Sequence, residues 1–286
     1  MAKTTLTVLF LLATSNLFAE QTTVVPVVAW GAPGAFGNRW FTEVYLSNPT
    51  LQTQEVLVAG FEVLRMKESP HPCVPPNVPI PVSPLQTKLL AASELSRWLG
   101  CPEEFVGGVL LQHGAGLLVS TRMTNAKGFE SSVGSDLLRG FSQEIPGVPL
   151  EHLIGEPGAV YMVPALVWHP QPCGATLYDT YLYFNNPGEA DVEVHLLPRE
   201  GEAMTIKLGN VEVQLPYLVK VPAGRVVQLA VQPAASTGGE GCGQPQVFDL
   251  FIEADGKLAV LASVVDRASN DARTVLVGSS HRVLRP

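Results

Sequence analysis

Histidines, carboxylates and one serine are the side chains of this sequence that could support catalysis or bind a metal. His169, His195 and Asp179 fall within one stretch of the chain, and imidazole with carboxylate is a ligand set for zinc at neutral pH. Ser280-His281 pairs a nucleophile with a base, but no acidic partner is evident. The chain has neither a His-Glu-x-x-His motif nor a Gly-x-Ser-x-Gly motif. The sequence therefore favours a non-catalytic protein without a cofactor, and a hydrolase or metal-dependent enzyme is the third hypothesis.

An oxygen-rich turn near the end of the chain carries Asp266, Asn270 and Asp271, which are ligand types that calcium prefers. Arg267 and Arg273 lie inside and beside the turn and would repel the cation. Turns of this composition commonly join two strands. We therefore interpret this segment as a hairpin without a metal.

The glycine-rich stretch 238–243 resembles a phosphate-binding loop in composition. Such a loop must open a helix whose N-terminus faces the anion, whereas Pro245 and the strand-like pair Val247-Phe248 follow here. A connector between strands is the favoured interpretation.

Two tyrosines two positions apart offer a surface for stacking. Tyr181 and Tyr183 point to one face of a predicted strand, because side chains alternate between the two faces. Asp179 and Asn185 lie on the same strand and could form hydrogen bonds with a ligand. If this face is exposed, it predicts a carbohydrate-binding module; if it is covered, the rings are structural.

A proline-rich segment, Pro70–Pro84, contains seven prolines in fifteen residues, with Cys73 among them. Each proline ring fixes φ and removes a backbone donor, so the segment must be extended and stiff. It is either a rigid connection between strands or a surface presented to a protein partner.

The N-terminus has the layout of a cleavable signal peptide. Lys3 precedes an apolar run, Leu6–Ala13, and a small residue, Ala19, marks the predicted cleavage point. The run has eight residues, fewer than the ~20 needed to span a bilayer. We expect a secreted, periplasmic or cell-surface protein with no transmembrane segment in the mature chain.

The four cysteines then lie in an oxidising compartment, where an even number indicates disulfides. Four cysteines allow three pairings. The domain division described below favours Cys73 with Cys101 and Cys173 with Cys242.

The charge balance limits the partners. The chain has 18 basic and 26 acidic side chains, a net charge of −8, so it lacks the basic surface that nucleic acid requires. The expected partner is a protein or a polysaccharide outside the cytoplasm.

An internal repeat organises the chain. A shift of 138 residues gives nine identities in 34 ungapped positions, where about two are expected by chance. With a shift of 142, Leu118, Val119 and Thr121 meet Val260, Leu261 and Ser263. The nine identical pairs join Val25, Pro26, Trp30, Thr42, Tyr45, Asn48, Pro49, Glu55 and Val56 to Val163, Pro164, Trp168, Thr180, Tyr183, Asn186, Pro187, Glu193 and Val194.

Each copy contains seven or eight short runs rich in Val and Leu, separated by Gly or Pro, which predict β-strands. One short helix is expected before Gly100, with Ser93 as its N-cap. The predicted fold is all-β: a signal peptide (residues 1–19) followed by two tandem Ig-like β-sandwich domains, 20–149 and 150–286, related by internal duplication.

The pattern Trp40-x-Thr42-x-x-x-Leu46-x-Asn48-Pro49 recurs as Tyr178-x-Thr180-x-x-x-Phe184-x-Asn186-Pro187. In this it resembles the tandem Ig-like β-sandwich repeats of secreted, largely uncharacterised bacterial proteins. Asp179 and Tyr181 replace the more usual basic and acidic residues of that pattern. The resemblance implies an exported Ig-like architecture that displays loops to a partner, and it implies no catalytic residues.

Overall fold

The computed structural model describes residues 20–33, 39–60, 73–101, 104–126, 141–168, 178–209, 211–233, 246–266 and 272–283. The predicted signal peptide lies outside these ranges. The described residues form three antiparallel sheets with one α-helix, which confirms the all-β prediction. Residues 20–149 are called the first half below, and residues from 150 onward the second half.

The first half is built on one nine-stranded sheet. Its long first strand pairs with the sixth strand on one side, and with the second strand near its C-terminal end. The first six strands and the helix together bury one apolar core. The elements are β1 (Glu20–Pro33), β2 (Arg39–Asn48), β3 (Gln54–Gly60), β4 (Ile80–Val82), β5 (Gln86–Leu90), α1 (Ala92–Leu99), β6 (Phe105–Gly114), β7 (Leu118–Ala126), β8 (Phe141–Pro146) and β9 (Val148–Pro149).

The second half contains a five-stranded and a six-stranded sheet. Apolar residues from both sheets meet in one core, so the sheets face each other as a sandwich. A 3₁₀ turn, Leu150–His152, comes first. The strands are β10 (Val160–Trp168), β11 (Tyr178–Asn185), β12 (Val192–Leu197), β13 (Thr205–Leu208), β14 (Val211–Gln214), β15 (Tyr217–Val221), β16 (Val226–Pro233), β17 (Gln246–Ala254), β18 (Ala259–Asp266), β19 (Ala272–Val277) and β20 (Arg282–Val283).

The helix begins earlier than the sequence predicted. Ala91, not Ser93, is the N-cap, and the Ala91 amide donates to the Glu94 carboxylate at 3.4 Å. The expected left-handed Gly100 closes the helix at φ 61°. The apolar side chains of Leu95 and Leu99 are buried in the core of the first half.

The two halves share one pairing scheme. β2 lies between β5 and β7, and β11 lies between β16 and β18. The first strand of each half has a register shift at the same place, between Val25 and Val28 and between Val163 and Leu166. Each shift contains a proline, which a regular central strand would not tolerate because proline lacks the backbone donor.

The strand register corrects the alignment of the later strands. Leu46 pairs with Val119, and the corresponding Phe184 pairs with Val260. Val119 therefore corresponds to Val260, a displacement of 141 residues, so the predicted shift of 142 was wrong by one residue. Runs of Val and Leu align almost equally well in either register, yet a one-residue slip moves every side chain to the opposite face.

The Asn-Pro motif has a structural reason. Asn48 is buried, and its Nδ2 donates to the carbonyls of Gln52, Val82 and Ser83 at 2.8, 3.0 and 3.2 Å. Its Oδ1 accepts the amide of Thr50 at 3.0 Å. The side chain thereby ties the end of β2 to the turn and to the end of β4.

Asn186 makes the same contacts in the second half. Its Nδ2 donates to the carbonyls of Ala190, Val221 and Pro222 at 2.8, 3.0 and 3.2 Å, and its Oδ1 accepts the amide of Gly188 at 2.9 Å. We call each of these two networks the Asn corner of its half.

Candidate functional site

The aromatic strand β11 has the predicted alternation of faces. Leu182 and Phe184 are fully buried in the sandwich core. Tyr181 and Tyr183 lie on the other face and are half-buried. The sequence thus predicted which side chains share a face, and the question is what covers that face.

Tyr183 packs against the first half. Its ring joins an apolar cluster that contains Trp40 and Met123 of the first half together with Leu261 and Leu276 of the second. Burial raises the pKa of the Tyr183 hydroxyl well above its ordinary value. Its oxygen accepts a hydrogen bond from Gln228 Nε2 at 2.9 Å.

The other three predicted ligand-binding residues have different surroundings. Asn185 is fully buried, and its Nδ2 donates to the carbonyl of Pro26 in the first half at 3.3 Å. Asp179 is buried and accepts the Tyr181 hydroxyl at 3.4 Å. The four residues therefore share a strand, but Tyr183 and Asn185 are committed to contacts between the halves. This placement does not favour a sugar platform formed by both tyrosine rings.

The contact between the halves has two complementary surfaces. A set of first-half side chains, here called the cradle, receives a set of second-half side chains, here called the ridge. Thr274 Oγ1 beside the ridge donates to Gln143 Oε1 beside the cradle. The cradle is Val27, Trp40, Val106, Met123 and Ile145, and the ridge is Tyr183, Leu261 and Leu276.

A second, smaller cluster extends this contact. Val24 and Val148 of the first half pack with Leu153 and Ala259. Among the described residues, two apolar clusters and two hydrogen bonds thus join the halves, and the carbonyl of Pro26 in β1 accepts one of these bonds. The relative position of the halves is fixed by packed side chains and not by the linker alone.

The second half has a cavity of about 480 Å³ at one end of its sandwich. Its described lining combines apolar side chains with one acidic and one basic group. Residues of β10, β11, β17, β18 and β19 contribute to it. The lining residues are Val167, Tyr178, Val247, Val264, Asp266, Ala272 and Arg273.

The proline-rich segment is anchored at both ends over its described part. A disulfide joins Cys73 to Cys101, which confirms that predicted pairing. At the other end Ile80 is fully buried in β4. Between these anchors, Val74 is 65% exposed and Val78 is 51% exposed.

The described members of the histidine–carboxylate set are not brought together. His195 lies on the exposed side of β12 in the five-stranded sheet, whereas Asp179 is on β11 in the six-stranded sheet. His169 lies outside the described residues. Within the described ranges, no three His, Cys, Asp or Glu side chains form a group that could hold a metal ion.

Several other predictions fall on residues outside the described ranges. These are the Cys173–Cys242 disulfide, Asn270 and Asp271 of the oxygen-rich turn, and the glycine-rich stretch 238–243. Asp266 is described, and it lines the cavity.

Sequence reasoning did not find the cradle or the cavity. Both depend on how strands that are distant in the sequence pack together, and no local pattern encodes that. The sequence repeat gave a partial indication of the contact between the halves, because Tyr45 aligns with Tyr183 whereas the residues around the two tyrosines differ.

The sequence matches no protein-family model, and no curated protein matches it either. The described part of the chain includes no helix of the length and apolar character needed to cross a membrane.

Proposed function

We propose that the chain is an exported, non-catalytic interaction protein, built from two duplicated Ig-like β-sandwich domains that present a stiff loop to a protein partner. The common pairing scheme and the two Asn corners support the duplication. The location outside the cytoplasm rests on the N-terminal sequence pattern and is consistent with the disulfide.

The anchored proline-rich segment carries this proposal. The disulfide at Cys73 and the buried Ile80 fix its two ends, and the prolines between them fix φ. Such a segment loses little conformational entropy when a partner docks, so its exposed apolar groups are available for binding. Val74 and Val78 supply these groups.

The anchors also determine how the loop is tested. Removing residues 75–81 would take Ile80 out of the core, and a loss of folding would then be mistaken for a loss of binding. Replacing Val74 and Val78 by serine keeps the anchors and removes the apolar surface. Val211, which is 62% exposed on β14, offers a matched control position.

The experiment is cross-linking on intact cells that export the chain. The wild type and Val211→Ser are expected to capture the same surface partner, and the Val74→Ser/Val78→Ser variant is expected to lose it. Equal capture by all three proteins would contradict loop display, and so would retention of the chain in the cytoplasm.

A further inference from the structure

The cavity of the second half occupies the position that corresponds to the cradle of the first half. Trp40 on β2 lies opposite Asn125 on β7, and Tyr178 on β11 lies opposite Asp266 on β18. Asn125 and Asp266 are separated by the 141 residues that relate β7 to β18. Tyr178 in the cavity lining therefore corresponds to Trp40 in the cradle.

Two further cavity residues also correspond to residues of the cradle. Val106 lies opposite Ala29, and Val247 lies opposite Val167, so Val247 corresponds to Val106. Met123 lies opposite Thr42 and Val264 lies opposite Thr180, so Val264 corresponds to Met123. Three cavity residues thus have counterparts in the cradle. In the first half, the three corresponding cradle residues pack against the ridge. In the second half, Val247 is 67% exposed.

The first half carries the counterpart of the ridge. Tyr45 on β2 lies opposite Ser120, as Tyr183 on β11 lies opposite Leu261. Pro146, which is exposed, stands where the second half has Leu276. We call Tyr45, Ser120 and Pro146 the second ridge.

The polar pair beside the contact becomes a charged pair at the corresponding positions. Within the chain, Thr274 donates to Gln143. The register places Glu144 at the position of Thr274 and Arg273 at the position of Gln143. Both are exposed, and neither forms an ion pair with another described residue. A carboxylate beside the second ridge therefore complements a guanidinium in the cavity lining.

We propose that the chain self-associates head to tail, with the second ridge of one copy seated in the second-half cavity of the next. This contact repeats the one that the two halves make within one copy, and it rests on the proposed interaction function. Tyr45 enters the cavity beside Tyr178, and Glu144 faces Arg273. The two surfaces belong to different halves, so the contact is heterologous and leaves a free second ridge at one end of each assembly and a free cavity at the other.

The test is sedimentation velocity of the purified chain over a concentration series. The wild type is expected to show a sedimentation coefficient that rises with concentration. Glu144→Arg and Arg273→Glu each place like charges together, and each is expected to lower the association constant at least about tenfold. The double variant, which exchanges the two charges, should recover association to within a few-fold of the wild type.

Two control variants separate the contact from general effects. Glu55→Arg makes the same charge change at an exposed residue of β3, a strand that carries neither the second ridge nor the cavity, and should associate like the wild type. Val247→Asp in the cavity should abolish association, whereas Val211→Asp at a similarly exposed valine should not.

A chain that remains monomeric at every concentration would overturn the proposal, as would single charge variants that associate like Glu55→Arg. A chain that does not self-associate but still captures a surface partner through Val74 and Val78 would overturn this inference alone. Loss of that capture in an associating chain would overturn the proposed function alone.

Discussion

The Asn corners allow a quantitative test of the fold. Asn48→Asp and Asn186→Asp keep the size of the side chain and the oxygen that accepts a backbone amide, but they remove the Nδ2 donor. Three carbonyls in each half then lose their hydrogen-bond partner and face a carboxylate oxygen.

The expected loss follows from the burial of these contacts. In each corner one of the three bonds is fully buried, and the other two are partly buried. An amide Nδ2 carries two protons, so one of them is shared between two of the three carbonyls. An unsatisfied buried acceptor costs about 2 kcal/mol and the two partly buried carbonyls together about 1 kcal/mol, so each substitution should lower the free energy of unfolding by about 3 kcal/mol.

The assay is urea unfolding followed by both circular dichroism and tryptophan fluorescence. Asn77→Asp is the matched control, because Asn77 is exposed and the same chemical change there should cost no more than about 0.5 kcal/mol. The two corners lie in different halves, so their effects should add to within about 0.5 kcal/mol. If either corner variant were as stable as Asn77→Asp, the reasoning that the Asn-Pro motif exists to supply this donor would be refuted.

Three further predictions concern single features of the structure. Asn125 is buried, and both polar atoms of its side-chain amide lack a hydrogen-bond partner. Asn125→Leu should therefore leave the urea midpoint of unfolding unchanged or raise it. A marked decrease in the midpoint would show that the amide is needed. Because burial raises the pKa of Tyr183, this residue contributes stability that is complete below pH ~10 and is lost at higher pH. Tyr183→Phe should therefore lose less stability than the wild type in unfolding measurements above pH 10, and an unchanged slope would contradict this. Reducing the Cys73–Cys101 disulfide should lower the free energy of unfolding by up to about 3.6 kcal/mol in urea titrations, and an unchanged midpoint would exclude this contribution.

Features that depend on neighbouring residues were predictable from the sequence. The alternation of Tyr181 and Tyr183 with residues 182 and 184 follows from strand geometry, and Gly100 ends the helix because it adopts a positive φ. The Cys73–Cys101 pairing followed from the predicted division of the chain into two repeated units.

Features that depend on a competition between similar alternatives were predicted less well. The helix begins after Ala91, although Ser93 is the better capping residue, because the turns begin where Leu95 and Leu99 can be buried. The register of β18 was off by one, because a run of apolar residues carries little information about its alignment.

The docking of the two halves was beyond sequence reasoning. Its contacts join residues more than 100 positions apart, such as Asn185 with Pro26 and Thr274 with Gln143. The second ridge has Ser120 and Pro146 where the first has leucines, so the repeat alone gave no indication that these faces are used in packing.

Cross-linking of a mixture tests the account most directly, because it asks whether the cavity receives the surface that corresponds to the ridge. Chains carrying Glu144→Cys are mixed with chains carrying Arg273→Cys and treated with a short thiol-reactive cross-linker. A Gln143→Cys/Thr274→Cys chain serves as the internal control, since these two residues touch within one copy. The account predicts a covalent dimer in the mixture, none from either variant alone, and a link within a single chain in the control. A mixture that stays monomeric while the control cross-links would contradict it.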